Sequence, residues 1–162
     1  MSDFNVMRAS LLAKGGEENI ANEKYKEAVE NILGYFQLRN ELGLNEISYL
    51  DQPCYFNLAA GYFHLGNHAQ ALSYLDRFVK NDNKNIQALK LRMQVNMELD
   101  LLGDAIRDID MTLLLDPNDE ELLMNKGICC IRNGNAANAK DAFIKAKSLG
   151  NKDAQFYIDK YC

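Results

Sequence analysis

Tryptophan is absent from the sequence, and proline and histidine occur only twice each. Proline removes a helical N–H and clashes with the preceding turn. With Pro53 and Pro117 its only instances, long helices are permitted almost everywhere. There is no run of basic residues, and 18 basic against 23 acidic side chains leave a formal charge of −5. A nucleic-acid partner needs a basic patch to neutralise phosphates, so none is expected. No apolar stretch approaches the roughly 20 residues of a membrane span, and no membrane partner is expected. The segment from Met1 to Lys14 carries Asp3 and only Leu11-Leu12-Ala13 as an apolar stretch, too little for a secretory signal. A cytoplasmic location is the expectation.

Chemistry is equally sparse. The four cysteines, Cys54, Cys129, Cys130 and Cys162, form no Cys-x-x-Cys pair, and no histidine stands at zinc-finger spacing from them. Cys129 and Cys130 sit in a helical pattern, where a thiol acts as a small hydrophobe. His64 and His68 have the spacing of two ligands on one helix face. Gly66-Asn67 between them should break the helix, however, and no acidic third ligand is nearby. Gly15-Gly16 lacks the Gly-Lys-Ser/Thr end of a phosphate loop, and no Gly-x-Ser-x-Gly elbow occurs. The expectation is a non-enzymatic protein with no catalytic residue, no metal site and no cofactor.

What is present is a repeat. Aligning residues 86–119 with 120–153 gives a register of 34 residues, and residues 52–85 fit the same frame. Ala71, Ala105 and Ala139 coincide, each with a bulky apolar residue four positions later: Leu75, Ile109 and Phe143. The turns Asp82-Asn83-Lys84, Asp116-Pro117-Asn118 and Gly150-Asn151-Lys152 coincide as well. A fourth copy spans residues 9–42, with Ala28 and Ile32 in those two places, and nine extra residues, 43–51, follow it. Small residues are needed where two helix backbones approach closely. Gly16, Ala59 and Gly127 supply them on the first helix of a copy, and the four alanines supply them on the second. Gly127 is the informative one, since glycine inside a helix costs about 1 kcal/mol relative to alanine. Met93 takes that place in the third copy.

The pattern Tyr55, Leu58, Ala59, Tyr62, Gly66, Ala71 resembles a tetratricopeptide repeat. The resemblance covers Ala9 to Asp153, is strongest over residues 52–153, and is looser in the first copy, where Gly15 replaces the usual leucine. It implies an all-α fold: a right-handed α-α superhelix of four helix-turn-helix repeats in a single domain over residues 1–162. Periodicity places helices near 7–22, 25–42, 52–65, 68–81, 86–99, 102–115, 119–133, 136–148 and 153–161. Asp153 is the expected N-cap of the last helix. That helix, 153–162, is expected to cover the hydrophobic end that a solenoid otherwise exposes.

The resemblance further implies a solenoid that binds another protein, with the first helix of each repeat lining a concave groove. Carried over position by position, the groove contains Phe56, Asn57, Ala60, Phe63 and His64 in the second repeat. The third supplies Gln87, Lys90, Gln94, Met97 and Glu98, and the fourth Met124, Ile128, Ile131 and Arg132. Ala13, Glu17, Ile20 and Ala21 come from the first. This lining is apolar, so either it forms a binding surface for a peptide or partner helix or its side chains pack against neighbouring helices. Some members of the family clamp the acidic C-terminal tails of heat-shock chaperones with five polar residues. Those places fall here on Ala13, Glu17, Asn57, Gln87 and Leu91, and only Asn57 matches. A carboxylate tail needs cationic donors, so a co-chaperone-like adaptor would work without an intact clamp. A chaperone for an exported substrate, similar to type III secretion chaperones, is a second reading, and self-association a third.

Overall fold

Apolar residues recurring every three or four positions, with glycine and asparagine between the runs, produce helices. The computed structural model describes residues 3–44 and 51–162, and among these there are nine helices and no strand. They are α1 (Asp3–Ala21), α2 (Tyr25–Glu41), α3 (Asp51–His64), α4 (His68–Asn81) and α5 (Ile86–Glu98). α6 (Leu102–Leu115), α7 (Glu120–Arg132), α8 (Ala136–Ser148) and α9 (Ala154–Tyr161) follow. α1 begins four residues before the periodicity marks it, because Val6, Met7 and Leu11 are exposed and carry no burial pattern. Residues 45–50, most of the interruption expected at 43–51, lie outside the described residues.

Contacts divide the chain into two compact units, Met1–Asn81 and Asp82–Cys162. In the first, α1 packs on α2 and α3 on α4, and both α1 and α2 meet α3. Its core contains Ala28, Ile32, Tyr35, Leu58, Ala59, Ala71 and Leu75, all fully buried. A Cβ added at Gly16 would overlap the Ile32 side chain, which is the close approach expected of that glycine. The Tyr35 hydroxyl donates to Asp51 at 2.8 Å. Arg39 donates to the Tyr35 hydroxyl at 3.2 Å and to the Leu44 carbonyl at 3.0 Å, and pairs with Asp51 at 3.3 Å. A stack of rings runs from Phe36 to Tyr55 (5.1 Å between centroids) and on to Tyr74 (6.3 Å).

In the second unit α5 packs on α6, α7 on α8, α6 on α7, and α9 on α8. Leu89, Met93, Ala105, Ile109, Cys129, Ala139 and Phe143 are its buried centre. Gly127 lies against the ring of Phe143, and a Cβ there would overlap it. α9 buries Ala154 and sets Tyr157 and Ile158 against the α8 cluster, while Phe156 and Tyr161 stay exposed. Asp153 does not cap α9. Its backbone is already helical (φ −84°, ψ −18°), so its carboxylate accepts no cap hydrogen bond, and its own N–H donates to Asn151 instead. Capping in this unit falls to Asn85, Asp119 and Asn135, which accept from the N–H of Ala88, Leu122 and Asn138.

One backbone feature recurs in every helix pair. Glu23, Gly66, Asp100 and Gly134 share a repeat position between the paired helices, and all four have positive φ, from 58° to 76°. Glycine takes that conformation at no steric cost. Glu23 and Asp100 adopt it despite their Cβ.

Candidate functional site

The residues expected to line a groove fall in both units. In the first, Phe56 is half-buried on α3 with its ring 5.7 Å from that of Phe78 on α4. Asn57 is half-buried one residue on. Phe63 and exposed His64 stand at the end of α3, where His64 stacks on Tyr25 at 4.1 Å and Phe63 meets His68 edge-on at 5.5 Å.

In the second unit the expected residues come from α5 and α7. Gln94 is exposed, and half-buried Met97 packs against the cluster around Met93 and Leu102. Met124 is a core residue, and half-buried Ile128 and Ile131 rest on the Phe143 cluster. The two cations are already paired. Lys90 donates to Asp119 at 2.5 Å, and Arg132 donates to Asp100 at 2.8 Å and to the Met97 carbonyl at 3.4 Å. Burial of Asp119 favours its protonated form, but the Lys90 bond and the Leu122 and Glu121 amides outweigh it, so the carboxyl is held below its ordinary value. This half of the site brings α5 and α7 together through charges, with a partly apolar surface beside them.

Sequence reasoning missed a buried carboxylate of the second unit. Asp108 on α6 is 2% exposed and accepts from Arg92 on α5 through both carboxylate oxygens, at 2.6 and 3.0 Å. Asn96 donates to it at 3.1 Å, and Thr112 donates to its backbone carbonyl at 2.8 Å. In the repeat register the cation of Arg92 recurs as Lys126, but Asp108 and Asn96 fall on Ala142 and Cys130, so the register gave no signal of the pair. Their spacing on adjoining helices could have raised the pairing as an option.

Three of the four thiols are buried in the packing. Cys54, Cys129 and Cys130 are buried and Cys162 is exposed. Burial pushes the Cys54 thiol up to about 12, with the Asp51 and Glu17 carboxylates adding to the effect. Burial also raises Cys129 and Cys130. Since the thiolate is the reactive form, native protein should react with a chromogenic disulfide reagent at Cys162 alone. The other three should react only after denaturation, and a second fast thiol in native protein would contradict this burial.

Residues 52–100 match the family model for the Fis1 C-terminal tetratricopeptide repeat. The mitochondrial fission 1 protein of Neurospora crassa is 30% identical over 115 residues, covering 65% of this chain and 74% of that protein. The chain belongs to the tetratricopeptide-repeat family. Outer envelope protein 61 of Arabidopsis thaliana is 24% identical over 119 residues, 74% of this chain, and the chain spans 22% of the length of that relative. Among solved structures, YrrB, a tetratricopeptide-repeat protein with an unusual peptide-binding site, aligns with a TM-score of 0.80. It shares 18% identity and covers 98% of this chain and 76% of its own. In tetratricopeptide-repeat terms, α1, α3, α5 and α7 are the first helices of the helix pairs. The five clamp positions on them hold buried Ala13, exposed Glu17, half-buried Asn57, exposed Gln87 and half-buried Leu91. No helix among the described residues is long and apolar enough to cross a membrane.

Proposed function

We propose that the chain is a non-enzymatic interaction module that holds a peptide or helix of another protein against the first helices of its repeats. The observation that carries this reading is the surface of α5 and α7. Lys90 and Arg132 are neutralised by Asp119 and Asp100, so this surface offers half-buried Met97, Ile128 and Ile131 beside exposed Gln94 rather than free cations. Such a surface suits an apolar segment better than an acidic tail. Phe56, Asn57, Phe63 and His64 on α3 and the floor residue Met124 on α7 complete the set of contact residues. Fold likeness to YrrB, which has a peptide-binding site, supports the same class of ligand.

The test starts from affinity capture with the full chain and identification of the partner by mass spectrometry. Met97→Ala combined with Ile131→Ala should weaken the partner about thirtyfold, since each truncation removes roughly 1 kcal/mol of apolar contact. Added salt should change the affinity little, because apolar contacts are not screened. Unchanged affinity in a double variant of wild-type helicity would exclude this surface. The proposed location is the cytoplasm, and the names of the two relatives, one mitochondrial and one of an outer envelope, make organelle surfaces the places to inspect with a fluorescent fusion.

A further inference from the structure

The ring stack of the first unit has no counterpart in the second. In the repeat register a shift of 68 residues carries α3 and α4 onto α7 and α8, and a shift of 77 carries α2 onto α6. Phe36, Tyr55 and Tyr74 then correspond to Leu113, Leu123 and Ala142, and Arg77 corresponds to Lys145. In the first unit the Arg77 guanidinium lies 5.9 Å from the centroid of the Tyr74 ring, which itself stacks on Tyr55. In the second unit the ring positions hold smaller side chains and a cleft opens among α6, α7 and α8. It measures about 530 Å³ and is lined by Leu113, Leu123, Ala142 and Lys145 among others, with Leu114 82% exposed beside them. The recess beside Tyr55 and Arg77 measures about 210 Å³.

We propose that this cleft receives a tyrosine side chain presented by a partner protein, its ring lying where Tyr74 lies in the first unit. The chain thus carries its own template for the bound state. Leu113 and Leu123 supply apolar contact in place of Phe36 and Tyr55. The Lys145 ammonium is complementary to the negative face of the ring, as the Arg77 guanidinium is to Tyr74. Lys126 is held by Asp110 at 2.7 Å, which leaves Lys145 as the cation for this role. Asn138 and Asp141 also line the cleft and offer acceptors for a phenolic O–H, which favours tyrosine over phenylalanine. This site is separate from the α5 and α7 surface and does not depend on it.

N-acetyltyrosinamide is the probe, titrated into the ¹⁵N-labelled full chain. Saturable shifts at Leu113, Leu123, Ala142 and Lys145 are expected, with millimolar affinity, and N-acetylleucinamide should bind several-fold more weakly. Ala142→Tyr should fill the cleft from within and abolish the saturable shifts. Lys145→Ala, at an exposed position, should weaken the probe about threefold, the scale of an exposed cation–π contact; this variant decides the matter should Ala142→Tyr fail to fold. Absence of saturation in the wild type, equal binding of the leucine probe, retained binding in folded Ala142→Tyr, or unchanged affinity in Lys145→Ala would each overturn the proposal.

Discussion

Asp108→Ala should cost about 3–5 kcal/mol of folding stability, the scale of breaking a buried ion pair from one side. The wild-type carboxylate occupies two donors of Arg92 and one of Asn96, and the Arg92 side chain is only 19% exposed. Truncation takes away the carboxylate to which both Arg92 and Asn96 donate, at a position with little access to water. A small protein is stable by about 5–15 kcal/mol, so a loss of this size should shift the urea midpoint far down. Far-UV circular dichroism reads it directly. Replacing both partners, Arg92→Leu with Asp108→Leu, should recover most of the loss, since the pair is expensive to break and much less expensive to replace by apolar groups. A single-variant loss under about 1 kcal/mol would place Asp108 with ordinary surface positions and refute the reading of this network as desolvated.

Gly127→Ala is the second large effect, and its sign is the test. Helix propensity alone predicts a gain of about 1 kcal/mol for this substitution. Packing predicts the reverse. The new methyl would overlap the ring of Phe143, which is fully buried on α8, so α7 and α8 would have to separate. Overpacking of this kind costs about 1–3 kcal/mol, and a net loss is expected in thermal or urea unfolding. Phe143→Leu introduced into Gly127→Ala should return part of it, although alone it should destabilise. A raised midpoint for Gly127→Ala would show that the two helices are free to part.

How far the sequence carried is visible in these two residues. Gly127 and Phe143 occupy repeating positions, so the register announced both the small residue and the bulky one opposite it. The structure added only that the two touch. Helix order was legible for the same reason, because buried residues such as Ala28, Ala71, Ala105 and Ala139 recur in one frame. The pairing of Asp108 with Arg92 occurs once, and a polar pair without a periodic echo is invisible until the helices are placed. The turns were half legible. Gly66 and Gly134 announce a left-handed residue, whereas Glu23 and Asp100 adopt the same φ with side chains that give no such warning. Position 34 of the repeat shows a different limit. Asn85 and Asp119 cap helices there, Asp153 does not, and Asp51 is taken by Tyr35 and Arg39. One residue type in one frame thus has three fates, decided by neighbours the frame does not specify. The candidate contact residues were identifiable as a list, but the pairing of Lys90 and Arg132 with aspartates was not.

The Arg39 side chain, finally, bears on how the protein could change over evolutionary time. One guanidinium touches the Leu44 carbonyl before the interruption and the Asp51 carboxylate after it, and Tyr35 holds the same carboxylate. Leu44 and Asp51 are therefore both fastened to α2. A change at position 39 is therefore felt at Leu44 and at Asp51 together, so that one side chain ties two separate points of the backbone to a single evolutionary fate.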